Sequence, residues 1–162
     1  MKPSIYLVAS KLPGNLFIMP KPSGEWLRED MAHYRAMGIN TIISMLEPQE
    51  ASELSLVDEG AICLESGMDF VQFPITDRGL PEPEPFQNLV ADIITRLRNA
   101  EDVAVHCRAG IGRSGMAVCC ALLGFDHSVE EAVALTSKAR GVPVPDTAEQ
   151  RAFIDQVALA LR

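Results

Sequence analysis

Glu101-Asp102-Val103-Ala104-Val105-His106-Cys107-Arg108-Ala109-Gly110-Ile111-Gly112-Arg113-Ser114-Gly115 runs from a short apolar segment into a tight, glycine-rich turn. Residues 101–105 read as a buried strand. The eight residues that follow, Met116-Ala117-Val118-Cys119-Cys120-Ala121-Leu122-Leu123, are apolar on every side and read as a buried helix. The unit is therefore strand, loop, helix. A cysteine leads the loop, and an arginine closes it six positions later.

Each residue type in the loop answers a chemical need. A loop that ends at a helix N-terminus directs several backbone N–H groups at one point, and the helix dipole favours an anion there. Gly110, Gly112 and Gly115 allow tight turning and close approach to a ligand. Arg113 offers a planar fork of donors that matches two phosphate oxygens. Cys107, surrounded by these donors, is expected to have a depressed pKa and to exist as the thiolate. A thiolate in an anion cradle is a nucleophile placed against the phosphorus of a phosphate ester. The Ser114 hydroxyl, one residue past the arginine, can donate to the sulfur and help it leave.

His106-Cys107-x5-Arg113-Ser114 resembles the signature loop of the cysteine-dependent protein tyrosine and dual-specificity phosphatases. The leading histidine, the three glycines, the preceding strand and the Ser-Gly that follows carry the resemblance. It implies phosphate binding by residues 108–113 (Arg108, Ala109, Gly110, Ile111, Gly112, Arg113). It also implies that His106 is held by hydrogen bonds and tunes the thiolate rather than transferring a proton.

Outward from this loop, the chain alternates strands and helices. Ile5–Val8 and Leu16–Met19 are candidate strands, able to pair as a hairpin across Pro13-Gly14-Asn15. Ser23 is a plausible N-cap of a helix reaching about Met37, with Leu27, Met31 and Tyr34 on one face. Thr41–Leu46 reads as a third strand and Phe70–Ile75 as a fourth. Residues 47–69 are strongly acidic and read as a solvated pair of short helices. After Pro85, apolar residues from Phe86 to Leu97 recur at helical spacing. Ser128-Val129-Glu130-Glu131 is a capping box opening a helix to about Arg140. Such alternation predicts an α/β fold, a mostly parallel sheet of four to five strands with helices on both faces. The site belongs at the carboxyl ends of the strands.

Hydrolysis needs a general acid for the leaving oxygen. Asp77 lies in Thr76-Asp77-Arg78-Gly79-Leu80-Pro81, a loop by composition, thirty residues before Cys107. The family resemblance assigns the acid to a loop aspartate at about this separation. Arg78 either meets substrate phosphate or pairs with a neighbouring carboxylate. Gln150 also has two readings. Thr147-x-x-Gln150 is a capping box, and in the tyrosine phosphatases a glutamine in a late loop orients the water that hydrolyses the phosphocysteine.

The 162 residues suit a single catalytic domain, and 48% hydrophobic with 22% charged residues is ordinary for a soluble globular chain. A net charge of −8 weighs against nucleic acid and an anionic membrane as partners. The expected partner is a phosphorylated protein or peptide. The four cysteines show neither zinc spacing nor a secreted framework. No metal and no cofactor are expected, since the arginine and the dipoles supply the positive charge. No signal peptide is visible, and a nucleophilic thiolate needs reducing surroundings, which point to the cytoplasm. Cys63, Cys119 and Cys120 read as buried small hydrophobes. Some family members protect the catalytic cysteine in a reversible disulfide, and Cys63 is the candidate partner for Cys107. A phosphoinositide or other non-protein phosphomonoester phosphatase is the alternative, although such relatives tend to carry loop lysines that this loop lacks. A non-catalytic phosphate-binding module is the second alternative.

Overall fold

The computed structural model describes residues 2–9 and 11–161. Five strands form one sheet: β1 (Tyr6–Ala9), β2 (Leu16–Met19), β3 (Thr41–Ser44), β4 (Asp69–Gln72) and β5 (Val103–His106), in the order β1-β2-β5-β3-β4. β1 is antiparallel to β2, as expected of a hairpin, and every other pairing is parallel. The three inner strands β2, β3 and β5 are fully buried, which requires cover on both faces.

That cover comes from seven helices among the described residues: α1 (Leu27–Ala36), α2 (Pro48–Glu53), α3 (Glu59–Glu65), α4 (Pro83–Arg98), α5 (Arg113–Leu123), α6 (Val129–Arg140) and α7 (Ala148–Ala160). Alternate residues of each inner strand enter different halves of the core, following the two-residue period of a strand. Leu16, Ile18, Ile43, Val103 and Val105 pack with Phe86, Ile93, Val118, Phe153 and Ile154 of the later helices. Phe17, Met19, Ile42 and Ala104 pack with Leu27, Met31, Tyr34 and Cys63 on the other face. α5 is buried almost throughout, in keeping with its unbroken apolar sequence.

The α/β expectation holds, with local corrections. β3 stops at Ser44 rather than Leu46. Ser23 is not the N-cap of α1. Its hydroxyl accepts from the Trp26 N–H at 3.2 Å, and the helix begins one turn later. β4 stops at Gln72 rather than Ile75: the Phe73 and Ile75 N–H groups donate to the consecutive Ser44 and Met45 carbonyls at 2.8 and 3.2 Å, which breaks the parallel register. α5 starts at Arg113, three residues before its apolar run, so the loop's arginine is already helical. The acidic segment does form two short helices, but Glu50 and Glu59 are buried rather than solvated. The capping boxes at Ser128–Glu131 and Thr147–Gln150 are both present.

Strand register then places the site. Met19 of β2, Ser44 of β3 and His106 of β5 lie side by side at the carboxyl ends of their strands. The chain leaves β5 directly into the loop, and the loop ends at the N-terminus of α5.

Candidate active site

The loop is shaped from outside through its carbonyls. The Arg108 carbonyl accepts the Lys21 N–H at 3.1 Å. Arg140, at the end of α6, donates from Nη2 to the Ala109 carbonyl at 3.0 Å and from Nε to the Gly110 carbonyl at 3.2 Å. Its guanidinium also lies 4.6 Å from the Tyr6 ring centroid. With these carbonyls engaged outside, N–H groups are free to face the loop interior. Gly110 has φ +73°, and a Cβ there would collide with the Met19 backbone. Only glycine meets both conditions without strain.

Inside the loop, the Cys107 sulfur is buried and lies 3.2 Å from Ser114 Oγ. Burial alone would push the thiol's pKa up. Hydrogen bonds from the Ser114 hydroxyl and the Ser114 and Ile111 N–H groups, with the charge of Arg113, outweigh it and hold the thiol below its ordinary range.

Arg113 is 1% exposed, and a guanidinium so placed needs full pairing. Glu50 grips it at both ends, Nη1 donating to Oε1 at 2.6 Å and Nη2 to Oε2 at 3.1 Å. Nη1 also donates to the Ile75 carbonyl at 2.8 Å, and Nη2 to Asp77 Oδ1 at 3.2 Å. The buried His106 has Nε2 2.6 Å from Glu59 Oε2 and Nδ1 3.0 Å from the Cys107 carbonyl. Burial disfavours the imidazolium, but the Glu59 carboxylate overrides it and the His106 pKa is raised. In its protonated form the ring donates both N–H groups, one to Glu59 and one to the backbone of Cys107.

Glu59→Gln keeps a polar partner for His106 but removes the charge that keeps the ring protonated. A neutral ring no longer supports the adjacent thiolate, so the Cys107 pKa rises. The acid limb of kcat/KM, which tracks thiolate formation, is expected to move to higher pH. A limb unmoved from wild type would show that His106 does not couple to the thiol.

A cavity of about 180 Å³ opens over the sulfur, lined by residues of the loop together with Asp77, Arg78 and Asp146. Asp77 therefore reaches the same cavity as Cys107, as the sequence predicts. Ile111 lines it too. Arg78 Nη1 pairs with Asp146 Oδ2 at 2.9 Å, the carboxylate-pairing alternative. Gln150 is buried and does not line the cavity. Its Oε1 accepts from the Asp146 and Thr147 N–H groups at 3.2 and 3.1 Å, and its Nε2 donates to the Gly79 carbonyl at 3.3 Å. The amide thus closes the end of α7 and ties the Asp77 loop to it. Cys63 lies in the other half of the core from Cys107, its thiol donating to the Asp69 carbonyl at 3.4 Å, and burial pushes its pKa up to about 12. That placement gives no support to a Cys63–Cys107 disulfide.

Three functional contributors lie beyond the sequence reading: Glu50, Glu59 and Arg140. Their only local signals are acidic residues at the α2 and α3 N-termini and an arginine before Gly141.

A mostly parallel sheet whose middle strand feeds a Cys-x5-Arg loop and a buried helix is the architecture of the tyrosine and dual-specificity phosphatase class. A family model described as "Swiss Army Knife protein, DSP-PTPase phosphatase domain" matches residues 9–154, and the chain belongs to that family. Kinase associated phosphatase (KAP), solved with its catalytic-site cysteine changed to serine, superposes with a TM-score of 0.86 at 21% identity, over 98% of this chain and 97% of that one. PTPMT1 in complex with PI(5)P superposes with a TM-score of 0.79 at 18% identity, over 97% and 96%. Protein tyrosine phosphatase domain-containing protein 1 of Mus musculus is 29% identical over 125 residues, 71% of this chain and 17% of that protein. The chain therefore spans less than a fifth of that relative's length. Cyclin-dependent kinase inhibitor 3 of Homo sapiens is 24% identical over 155 residues, covering 94% of this chain and 72% of that protein. No helix among the described residues is long and apolar enough to cross a membrane.

Proposed function

We propose that the protein hydrolyses phosphomonoesters of protein or peptide substrates, in the cytoplasm, through a phosphocysteine intermediate. The observation that carries this reading is the convergence on one cavity of Cys107, the Glu50-clamped Arg113 and Asp77. In the first step the Cys107 thiolate attacks phosphorus. The P–O ester bond breaks, and the Asp77 carboxylic acid gives its proton to the leaving oxygen. In the second step water attacks the phosphocysteine and Asp77, now a carboxylate, takes its proton. The P–S bond breaks and the thiolate leaves with a hydrogen bond from Ser114. Arg113 and the N–H groups of residues 108–113 bear the charge on the equatorial oxygens throughout.

Asp77→Ala tests the assignment of the acid. Its rate is expected to fall by about a hundredfold for alkyl and unactivated phenyl esters and far less for esters with good leaving groups. Equal loss on both would remove Asp77 from the acid role.

No aromatic side chain is among the described residues lining the cavity. The reading covers phosphotyrosine together with phosphoserine and phosphothreonine. Phosphoinositides are the second reading, favoured by the likeness to PTPMT1 solved with PI(5)P. Asp77 and Asp146 at the cavity weigh against a polyanionic headgroup. Phosphate release from matched phosphotyrosine and phosphothreonine peptides and a soluble phosphoinositide separates the two: turnover of the lipid headgroup alone would reverse the order.

A further inference from the structure

Each of the three arginines lining the cavity is met by carboxylates, but they are held unequally. Arg113 is buried and gripped at both ends by Glu50. Arg108 lies 3.5 Å from Glu50 and 3.9 Å from Glu53. Arg78 has a single contact, the 2.9 Å pair with Asp146, and both side chains are well exposed, at 64% and 40%. An exposed single-contact pair is among the weakest electrostatic interactions a protein makes. Its partners can separate at little cost.

Backbone conformation sets Arg78 apart as well. Its φ is +61°, in the left-handed region where a non-glycine side chain is disfavoured. Ser55, Ala100 and Asp126 share that conformation, but of the four only Arg78 lines the cavity. Arg78 lines the cavity together with Asp77, Cys107 and Arg113. A phosphomonoester dianion bound over Cys107 has oxygens to spare beyond those the loop donors hold. It offers Arg78 the bidentate geometry that guanidinium prefers.

We infer that Arg78 is a substrate-binding residue held in reserve by Asp146. An entering phosphate dianion draws Arg78 off Asp146, and Asp146 is an internal counter-anion that competes with substrate for it. The inference rests on the phosphomonoester reading above. It assigns Asp146 a role with an unusual sign, since removing its charge improves binding. Asp77 does not compete in this way, because its carboxylate faces Arg113.

The test is a double-mutant cycle read by calorimetric titration of inorganic phosphate into the full chain carrying Cys107→Ser. Asp146→Asn is expected to tighten phosphate binding about fivefold. Arg78→Met is expected to weaken it about tenfold. With Arg78→Met already present, Asp146→Asn should tighten binding far less, keeping only the loss of its direct repulsion of the anion, because most of its effect passes through Arg78. Equal tightening in both backgrounds would overturn the inference, leaving Asp146 as a general negative charge near the cavity. Weaker binding in Asp146→Asn would also overturn it, showing that the pair holds the loop in its binding shape. Asp146→Ser repeats the comparison with a second neutral side chain, and melting temperatures confirm that every variant is folded. Turnover of an aryl phosphate by the protein with Cys107 intact is measured in parallel. Turnover with an additive cycle overturns the inference alone. A coupled cycle without turnover overturns the hydrolytic reading and leaves the inference standing.

Discussion

Cys107→Ser is expected to abolish turnover, with a loss of at least about two decades in kcat, roughly 2.7 kcal/mol of barrier, while oxyanion binding persists. The serine hydroxyl has the size of the thiol, but its pKa lies far above any the loop can bring into range. The Glu50-held Arg113 and the N–H groups of residues 108–113 remain in place and still bind phosphate. Rapid quenching of the wild-type reaction with radiolabelled aryl phosphate should trap label on Cys107, and the serine variant should trap none on a thiol. Residual turnover above the percent level would remove the cysteine from the nucleophile's role. Loss of phosphate binding along with turnover would instead point to a collapsed loop.

Glu50→Ala is expected to cost both stability and activity, through a residue that touches no substrate. Its carboxylate carries two of the bonds to a guanidinium that is 1% exposed. Removing one partner of a buried ion pair leaves the other charge uncompensated, a cost of about 3 kcal/mol. For a chain of this length that lowers the melting temperature by about 8 °C. Arg113 also loses its orientation, and kcat/KM should fall by about a hundredfold. The pH dependence carries a sign that identifies the cause. Burial alone would raise the Glu50 carboxyl, but hydrogen bonds from Arg113 and the Glu47 N–H, with the charges of Arg113 and Arg108, hold it below its usual range. A carboxyl depressed in the folded state stabilises fully above its unfolded pKa of about 4.3, and that share is lost as pH falls toward the folded value. The gap in melting temperature between wild type and Glu50→Ala should therefore narrow below about pH 4. A gap that stays constant on acidification would show that the loss comes from packing rather than charge.

Cooperation among these side chains explains why the arginine sits at the first residue of α5 rather than in the loop proper. A helical start fixes its backbone. Glu50 of α2, and the Ile75 carbonyl and Asp77 of the connection between β4 and α4, then fix the guanidinium from two different parts of the fold. Gln150 does similar work at longer range. By joining the Asp146 and Thr147 N–H groups to the Gly79 carbonyl, it couples the loop that carries the candidate acid to the start of α7.

What the chain states locally was legible from its letters. Strand alternation, capping boxes, glycines at a turn and a Cys-x5-Arg loop between an apolar strand and an apolar helix are properties of neighbours in sequence. They are governed by backbone sterics and short-range hydrogen bonding. The α/β class, the hairpin and the place of Cys107 followed from them. The partners of the buried charges did not. Glu50 meets Arg113 across 63 positions, Glu59 meets His106 across 47, and Arg140 meets the loop carbonyls across 30 and 31. In sequence, Glu50 and Glu59 are indistinguishable from the solvated acids around them, since a carboxylate in water and one clamped on a buried cation have the same letter. Only the packing of α2 and α3 over the carboxyl ends of the strands removes those two from water, and burial is what makes their pairing obligatory.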